Sequence, residues 1–469
     1  MKLMGRHSEL NSSARIIYVN KFYKNILIAQ SDLTIKENIE AREYAFQKDK
    51  NVFSIRFPVI IQSSAEIWEI ATTYLMYCLE EINDITGENL YNFANDLLDY
   101  LRFIEDKKTH FLDLPKFRNN RITTRYEYYL REQIENYDLR PNTAKRRINR
   151  VVDFYRTCIQ QNFLTIDDFE GLPYEDRLKR ITIITPDGYE REKEVNTHDH
   201  AITGSASHSD ENLIYDDGAL RPLDKREQLL YLEYLDKYGT RELQLLTYIA
   251  LFTGARIQTI CTLRVKNLKN MPLLADKETY KLEVGGTTGV DTKKRKPQNL
   301  LIPKKIKLLI DNYVESKEWV ERAKKSFYGE SDNNYIFLTK KSNPFYTSKK
   351  EIRDVKFKID NDSYQGDFIV YKGNAVRKNL NDVLLKLCQD YPDFNTFRFH
   401  DLRATYGMNL VRKFEELGYS SSVIKNKVRI MMGHSSDKTT DLYLKYDFNK
   451  EERRRVQSKL ENELFKYVN

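Results

Sequence analysis

Between Phe397 and Tyr446 the chain reads FRFHDLRATYGMNL, then a partly polar helical run, then MMGHSSDKTTDLYLKY. Two of the seven histidines fall here: His400, with Arg403 three residues on, and His434, with Tyr443 nine residues on. A three-residue step puts His400 and Arg403 on one face of a helix. His434 sits in Gly433-His434-Ser435-Ser436, a turn-like lead into the helical segment that carries Tyr443. The set combines a fixed cation, two imidazoles and a phenol, and nothing in it resembles a carboxylate metal cage. Such groups suit an anionic substrate attacked by an oxygen nucleophile without a metal, and a phosphodiester is the substrate class they fit.

These residues carry a resemblance. His400-x-x-Arg403, Gly433-His434-Ser435-Ser436 and Tyr443 resemble the C-terminal motif set of the tyrosine recombinases, the phage-type integrases. Thr253-Gly254-Ala255-Arg256, within TYIALFTGARIQTICTLRVKNL, resembles the segment holding that family's first catalytic arginine. Each motif alone is short, and their shared order and the offset of the tyrosine from G-H-S-S make the match specific. The resemblance is sharpest from about Arg221 to Tyr446, looser over the preceding helical region, and absent from roughly the first fifty residues.

Metal-free cleavage of a phosphodiester needs fixed positive charge on the phosphate oxygens, and a guanidinium offers two donors in a fork that fits them. Arg256 and Arg403 are the candidates. A tyrosine, of reference pKa about 10, needs a proton acceptor and a positive field before it can attack. Among 32 tyrosines the offset from G-H-S-S selects Tyr443, with Tyr446 one turn further on. Its hydroxyl is expected to be exposed, so that Tyr443→Phe would cost little stability.

The resemblance implies the remaining roles. His400 would assist as acid/base, and His434 would donate a hydrogen bond to a phosphate oxygen. A hairpin lysine would protonate the leaving 5′ oxygen. That pattern falls best on Lys293, while Lys294 and Lys296 in the same turn stay open as alternatives or as phosphate contacts. Two departures stand out: Thr287-Thr288-Gly289 where many relatives have Lys-Thr-Gly, and Thr259 where relatives often carry an acid.

The implied function is that of a site-specific DNA recombinase working through a 3′-phosphotyrosyl intermediate, integrating or excising a mobile element. Its partners would be double-stranded DNA with specific recombination sites and three further copies of the chain, a homo-tetramer on DNA, with accessory DNA-bending factors allowed. No cofactor and no metal are implied. A type IB topoisomerase-like relaxing enzyme and a catalytically inactive DNA-binding relative are the alternatives.

Composition agrees with a polyanionic partner. The chain of 469 residues is long enough for two or three domains. It carries a net charge of +8, of the sign a nucleic-acid partner would select. The four cysteines show no C-x-x-C spacing and read as buried free thiols in a reducing compartment. No signal peptide or membrane-length apolar run is evident, so a cytoplasmic, nucleoid-associated protein is expected. The chain has no G-x-G-x-x-G and no Walker A motif, which argues against ATP hydrolysis.

The elements that must position the site are mainly α-helical, with a small antiparallel β-sheet. Residues 1–60 mix β-branched and aromatic runs and read as strands of an extension or arm without an assigned role. Residues 61–165 read as a helical domain that resembles the family's core-binding, DNA-gripping domain. There Leu90, Phe93, Ala94, Leu97, Leu98, Leu101 and Ile104 form one apolar stripe. A helix opening at Asn142-Thr143 buries Ile148, Val151, Val152 and Tyr155. Its Thr143, Lys145, Arg146, Arg147 and Arg150 would meet DNA phosphates. Residues 166–218 read as a linker or insertion: a small hairpin about Pro186-Asp187-Gly188, then a mobile polar stretch in which His198, His200 and His208 favour a loop over a metal site.

Residues 219–446 read as a mixed α/β catalytic domain. Asp224 and Glu227 suggest a capping box, two apolar helices follow, and Arg256 stands at the start of a third. Lys281–Val284 and Asn299–Ile302 suggest strands joined by GGTTGVDTKKRKPQ. Helix from Pro303 to about Ala323 would be anchored by Trp319. DVKFKIDNDSYQGDFIV suggests a second hairpin, and NDVLLKLCQDY a helix. Over 447–469, Val456, Leu460, Leu464, Phe465 and Val468 form a stripe expected on a tail helix exchanged between protomers.

Overall fold

The computed structural model describes residues 10–28, 45–82, 88–184, 190–203, 213–360 and 368–448. The chain divides into two compact units, 1–208 with 356–368 and 209–355 with 369–469. Each is mainly α-helical with two-stranded antiparallel sheets.

The first unit opens on two long antiparallel strands, β1 (Arg15–Ile28) and β2 (Ala45–Ile61), paired from Arg15 opposite Ile61 with a register shift between Tyr23 and Lys24. Ala14, Phe57, Val59, Ile60 and Ile61 are buried in the same core as Trp68, Tyr74 and Leu75. The end of this hairpin around Arg15 and Ile61 is therefore packed into the helical unit. Helices α1 (Glu69–Ile82), α2 (Glu88–Asp106), α3 (Ile122–Glu135) and α4 (Pro141–Gln160) complete that core. The apolar stripe of α2 is buried from Leu90 to Ile104 except at Phe93, which is half-buried. α4 begins at Pro141, slightly before the expected Asn142-Thr143, because a first-turn proline lacks an N–H that would have no partner there.

The described part of the 166–218 stretch differs from a mobile linker. Strands β3 (Asp176–Ile184) and β4 (Glu190–His198) pair in register, and His200 and Ile202 after them are buried. His200 is buried, with Nδ1 2.8 Å from Glu127 Oε2 and Nε2 3.1 Å from the Pro173 carbonyl. Asp199 receives Arg118, and His198 Nε2 lies 2.9 Å from Asn149 Oδ1. These polar residues resemble a solvated loop in sequence only because their partners are distant in the chain. Pro186-Asp187-Gly188 and His208 lie outside the described residues, as does the expected tail stripe from Val456 to Val468.

The second unit begins before the boundary expected at 219. Strands β5 (Ile214–Tyr215) and β6 (Ala219–Leu220) pair across a turn at Asp216, Asp217 and Gly218. α5 (Lys225–Tyr238) starts with the expected capping box, both halves being formed by Asp224 and Glu227. It is followed by α6 (Arg241–Thr253), α7 (Ile257–Cys261) and α8 (Val265–Lys269). β7 (Thr279–Val284) and β8 (Gln298–Pro303) form the expected basic hairpin.

Two helices replace the single one expected after Pro303, α9 (Lys304–Val314) and α10 (Lys317–Lys324), the second capped by Ser316. Trp319 is buried and donates its indole N–H to the Ile336 carbonyl at 2.8 Å. The hairpin expected from Asp354 onward is corrected: α11 (Lys349–Asp360) carries Asp354 to Asp360, with the rest up to 367 outside the described residues. Ile352 and Val355, buried three apart, give this segment a helical period that its β-branched content masks. α12 (Asn374–Asp390), α13 (Asp401–Glu416), α14 (Ser421–Met432) and a helical stretch over 437–448 finish the unit.

The main core of this unit lies among α5, α6, β7, β8 and α12, and a smaller core joins α13 and α14 to Tyr443 and Tyr446. The described cysteines are free, and Cys78, Cys158 and Cys261 are buried. Among the described residues no helix is long and apolar enough to cross a membrane, and no group of three His, Cys, Asp or Glu is placed to hold a metal.

Candidate active site

The second unit brings Arg256, Lys293, His400, Arg403, His434 and Tyr443 together around two carboxylates, Asp216 and Asp217. Arg256 is the residue before α7, placed there by the left-handed Gly254 that ends α6. The φ of Gly254 is 65°, and an added Cβ would overlap the Tyr406 ring, so the turn requires glycine. His400 stands just before α13 without a side-chain cap, and Arg403 lies in its first turn. His434 follows Gly433, which ends α14. Tyr443 sits on the last helical stretch with its ring against Gly407 of α13, where an added Cβ would overlap it.

Arg403 is 1% exposed, and each of its three guanidinium nitrogens donates one hydrogen bond. Nη1 donates to the Gly254 carbonyl at 2.7 Å, Nη2 to the Met432 carbonyl at 3.0 Å, and Nε to Asp216 Oδ2 at 2.7 Å. The same Asp216 Oδ2 lies 3.2 Å from His434 Nε2 and accepts the Tyr443 hydroxyl at 3.0 Å. Since an ionised carboxylate only accepts, the neutral His434 ring must carry its proton on Nε2. Its Nδ1 then accepts from the Thr440 hydroxyl at 2.9 Å. His400 Nε2 is 3.3 Å from the Asp216 backbone carbonyl, which likewise assigns it a proton on Nε2.

Arg256 reaches both acids, with Nη2 2.5 Å from Asp217 Oδ2 and 3.7 Å from Asp216 Oδ1. Its Nε is buried without a hydrogen-bond partner among the described residues. Lys293 pairs with Asp217 Oδ1. Of the other lysines in the hairpin turn, Lys296 donates to the Gly433 carbonyl at 3.1 Å, and Lys294 is exposed with a φ of 55°.

The charges follow from these partners. Burial works against ionisation of Asp216, yet the His434 hydrogen bond and the Arg403 guanidinium hold its carboxyl far below the usual carboxylate range. Asp217 is also held down, by Lys293 and Arg256 against the cost of burial. Burial pushes His434 and His400 below their ordinary value, with Arg403 adding to the effect, so both rings are neutral near pH 7. Burial, and then the Asp216 charge, push the Tyr443 phenol well above its ordinary value.

The expected exposure of Tyr443 is corrected. It is 0% exposed, because its ring fills the small core between α13 and α14. Asp216 and Asp217 are the residues the motif reading missed. Tyr-Asp-Asp-Gly announces a turn, but no spacing relation in sequence ties it to partners between 39 and 227 positions away.

The basic face of α4 is less available than its sequence suggests. Arg146 pairs with Asp96 at 2.8 Å, and Arg147 with Asp99 at 2.8 Å. Arg150 pairs with Asp153 at 2.6 Å and stacks on Phe93. Thr143 is half-buried in the first turn, and Lys145 is exposed with no ion pair among the described residues.

No protein-family model and no curated protein matches the chain. It is similar to the solved structure of the Tn1549 transposon integrase in complex with transposon right end DNA, at 13% identity and a TM-score of 0.44, covering 83% of this chain and 99% of that chain. It is also similar to a lambda integrase dimer bound to a COC′ core site, at 13% identity and a TM-score of 0.39, covering 80% of this chain and 94% of that one. A lambda integrase tetramer bound to a Holliday junction is similar at 14% identity and a TM-score of 0.38, covering 80% of this chain and 76% of that chain.

Proposed function

We propose that this chain is a tyrosine-type site-specific DNA recombinase that integrates or excises a mobile element, working in the cytoplasm on the nucleoid as a homo-tetramer on paired sites. The observation that carries the reading is that Arg403, His434 and Tyr443 all aim a polar hydrogen at one anionic oxygen. A scissile phosphate would accept the same donors, with Arg256 beside them offering an N–H that has no partner among the described residues.

The chemistry then balances without a cofactor. The Tyr443 oxygen bonds to phosphorus, the bond from phosphorus to the 5′ oxygen breaks, and Lys293 gives that oxygen its proton. The Tyr443 proton leaves to a neutral imidazole, for which His400 is the candidate. Attack by the 5′-hydroxyl of a partner strand reverses the step and conserves the bond energy. Arg256 and Arg403 supply the fixed charge on the non-bridging oxygens. Lys294, Lys296, Thr143 and Lys145 are candidate phosphate contacts, and Arg146, Arg147 and Arg150 remain so only where DNA competes with their present acids.

The test is strand exchange between two copies of the DNA that flanks the gene, run beside relaxation of a supercoiled plasmid lacking that DNA. Exchange with no relaxation is the expected result. Relaxation without exchange would make the protein a type IB topoisomerase-like enzyme, and neither activity would make it a DNA-binding relative.

A further inference from the structure

The anion held by the candidate active site belongs to the protein itself. Asp216 Oδ2 takes hydrogen bonds from Arg403, His434 and Tyr443, while Asp217 takes Arg256 and Lys293. These are the groups that a phosphodiester would need. A carboxylate and a phosphate are both acceptors and both negative, so they cannot share one set of donors. We propose that the turn of Asp216, Asp217 and Gly218 is an autoinhibitory plug, a phosphate mimic that DNA must displace before Tyr443 can act; the phosphate half of this statement rests on the recombinase reading.

The local fold suits a part that swings. β5 and β6 are two residues each, joined by only two residue pairs, Ile214 with Leu220 and Tyr215 with Ala219. Ile214 and Leu220 are buried and act as anchors, while Tyr215, Asp217 and Gly218 at the tip are exposed. The tip backbone is unusual, with Asp217 at a φ of 58° and Gly218 at 143°. Its hold on the site is made of the two carboxylates and the Asp216 backbone carbonyl, 3.3 Å from His400 Nε2. Two acids facing Arg256, Lys293 and Arg403 leave a cationic site once the tip moves away, which favours exchange for a polyanion over an empty open state.

A positioning role predicts the opposite behaviour. If the acids served to orient Arg403 and His434 for catalysis, removing them would weaken anion binding and cleavage. If they occlude the site, removing them strengthens both. The protein's closed fraction then weakens its apparent affinity by the fraction of time the site is open.

The experiment compares the full chain with the Asp216→Asn, Asp217→Asn double variant, which keeps both side-chain shapes and removes both charges. Tungstate, a tetrahedral dianion, is titrated by calorimetry, and covalent adduct formation on the DNA flanking the gene is timed at subsaturating DNA. The plug predicts that the double variant binds tungstate about tenfold or more tightly than the native chain, and forms adduct faster by a similar factor. Adding Tyr443→Phe should remove the adduct and keep the tungstate gain. Equal or weaker tungstate binding by a variant that still melts cooperatively overturns the plug. A tungstate gain with no adduct in either background leaves the occluded anion site standing and removes the recombinase reading instead. If the double variant does not fold, the single Asp217→Asn variant is read by the same two criteria, since Asp217 is the more exposed of the two acids.

Discussion

Asp216 and Arg403 face one another at 2.7 Å, 4% and 1% exposed, and His434 and Tyr443 meet the same carboxylate oxygen of Asp216. Its electrostatics give a sign for acid stability. The Asp216 carboxyl is held far below the ordinary value, so the unfolded chain binds the first proton as the pH falls below about 4. The stability it contributes is full above that pH and is lost below it. His434 and His400, both lowered by burial, act in the same direction from about pH 6.5 downward. Thermal melts of the full chain should therefore fall gradually below about pH 6.5 and steeply below about pH 4. An Asp216→Asn variant with the same steep acid limb as the native chain would contradict this assignment.

The two arginines should separate in kind. Arg403 is buried and also holds the Gly254 and Met432 carbonyls, so Arg403→Ala leaves Asp216 and two carbonyls short of a donor. It should cost about 3–5 kcal/mol of stability besides its effect on rate. Arg256 is a quarter exposed, and Arg256→Ala should leave the melt nearly unchanged while slowing cleavage by about 10²–10³. Wild-type cleavage by Arg256→Ala would show that residue to be structural.

Among the described residues, Lys293 is the hairpin lysine paired with an acid at the site. Lys293→Ala should slow cleavage, and a substrate with sulfur at the 5′ bridging position should restore it, because a thiolate leaves without a proton. Rescue of Lys294→Ala or Lys296→Ala instead would move the general acid within the turn. Rescue of none would remove the role.

Salt dependence separates Lys145, unpaired among the described residues, from the paired cations of α4. Lys145→Ala should flatten the log–log slope of DNA affinity against salt by about 0.9, the value of one phosphate contact. Arg146→Ala, whose charge is already met by Asp96, should change it less. Equal effects would mean that DNA breaks the Asp96 pair.

What the sequence made legible, and what it did not, divides by range of interaction. The α2 stripe, the Asp224 and Glu227 capping box and the β7–β8 hairpin are local patterns, and each is where its spacing put it. The six motif residues converge because helix starts and glycine turns, themselves local, aim them inward. Asp216 and Asp217 depend on partners at 256, 293, 403, 434 and 443, so their role exists only in three dimensions. The same holds for His200 on Glu127, and for the arginines of α4 on Asp96 and Asp99. A polar residue in sequence does not say whether water or another chain segment will meet it.

The central claim is that Tyr443 is the nucleophile, and Tyr446 is the neighbour that could replace it. Both are buried in the same small core, but it is the Tyr443 hydroxyl that reaches the anion position, on Asp216. Tyr443→Phe removes one hydrogen bond from an acid that keeps Arg403 and His434, so it should cost about 1 kcal/mol and fold normally. The deciding measurement is mass spectrometry of the protein–DNA adduct trapped on a nicked substrate carrying the DNA that flanks the gene. The account predicts a nucleotide linked through a 3′ phosphate to the peptide at Tyr443, present with Tyr446→Phe and absent with Tyr443→Phe. A nucleotide found on Tyr446, or an adduct that survives Tyr443→Phe, would contradict it.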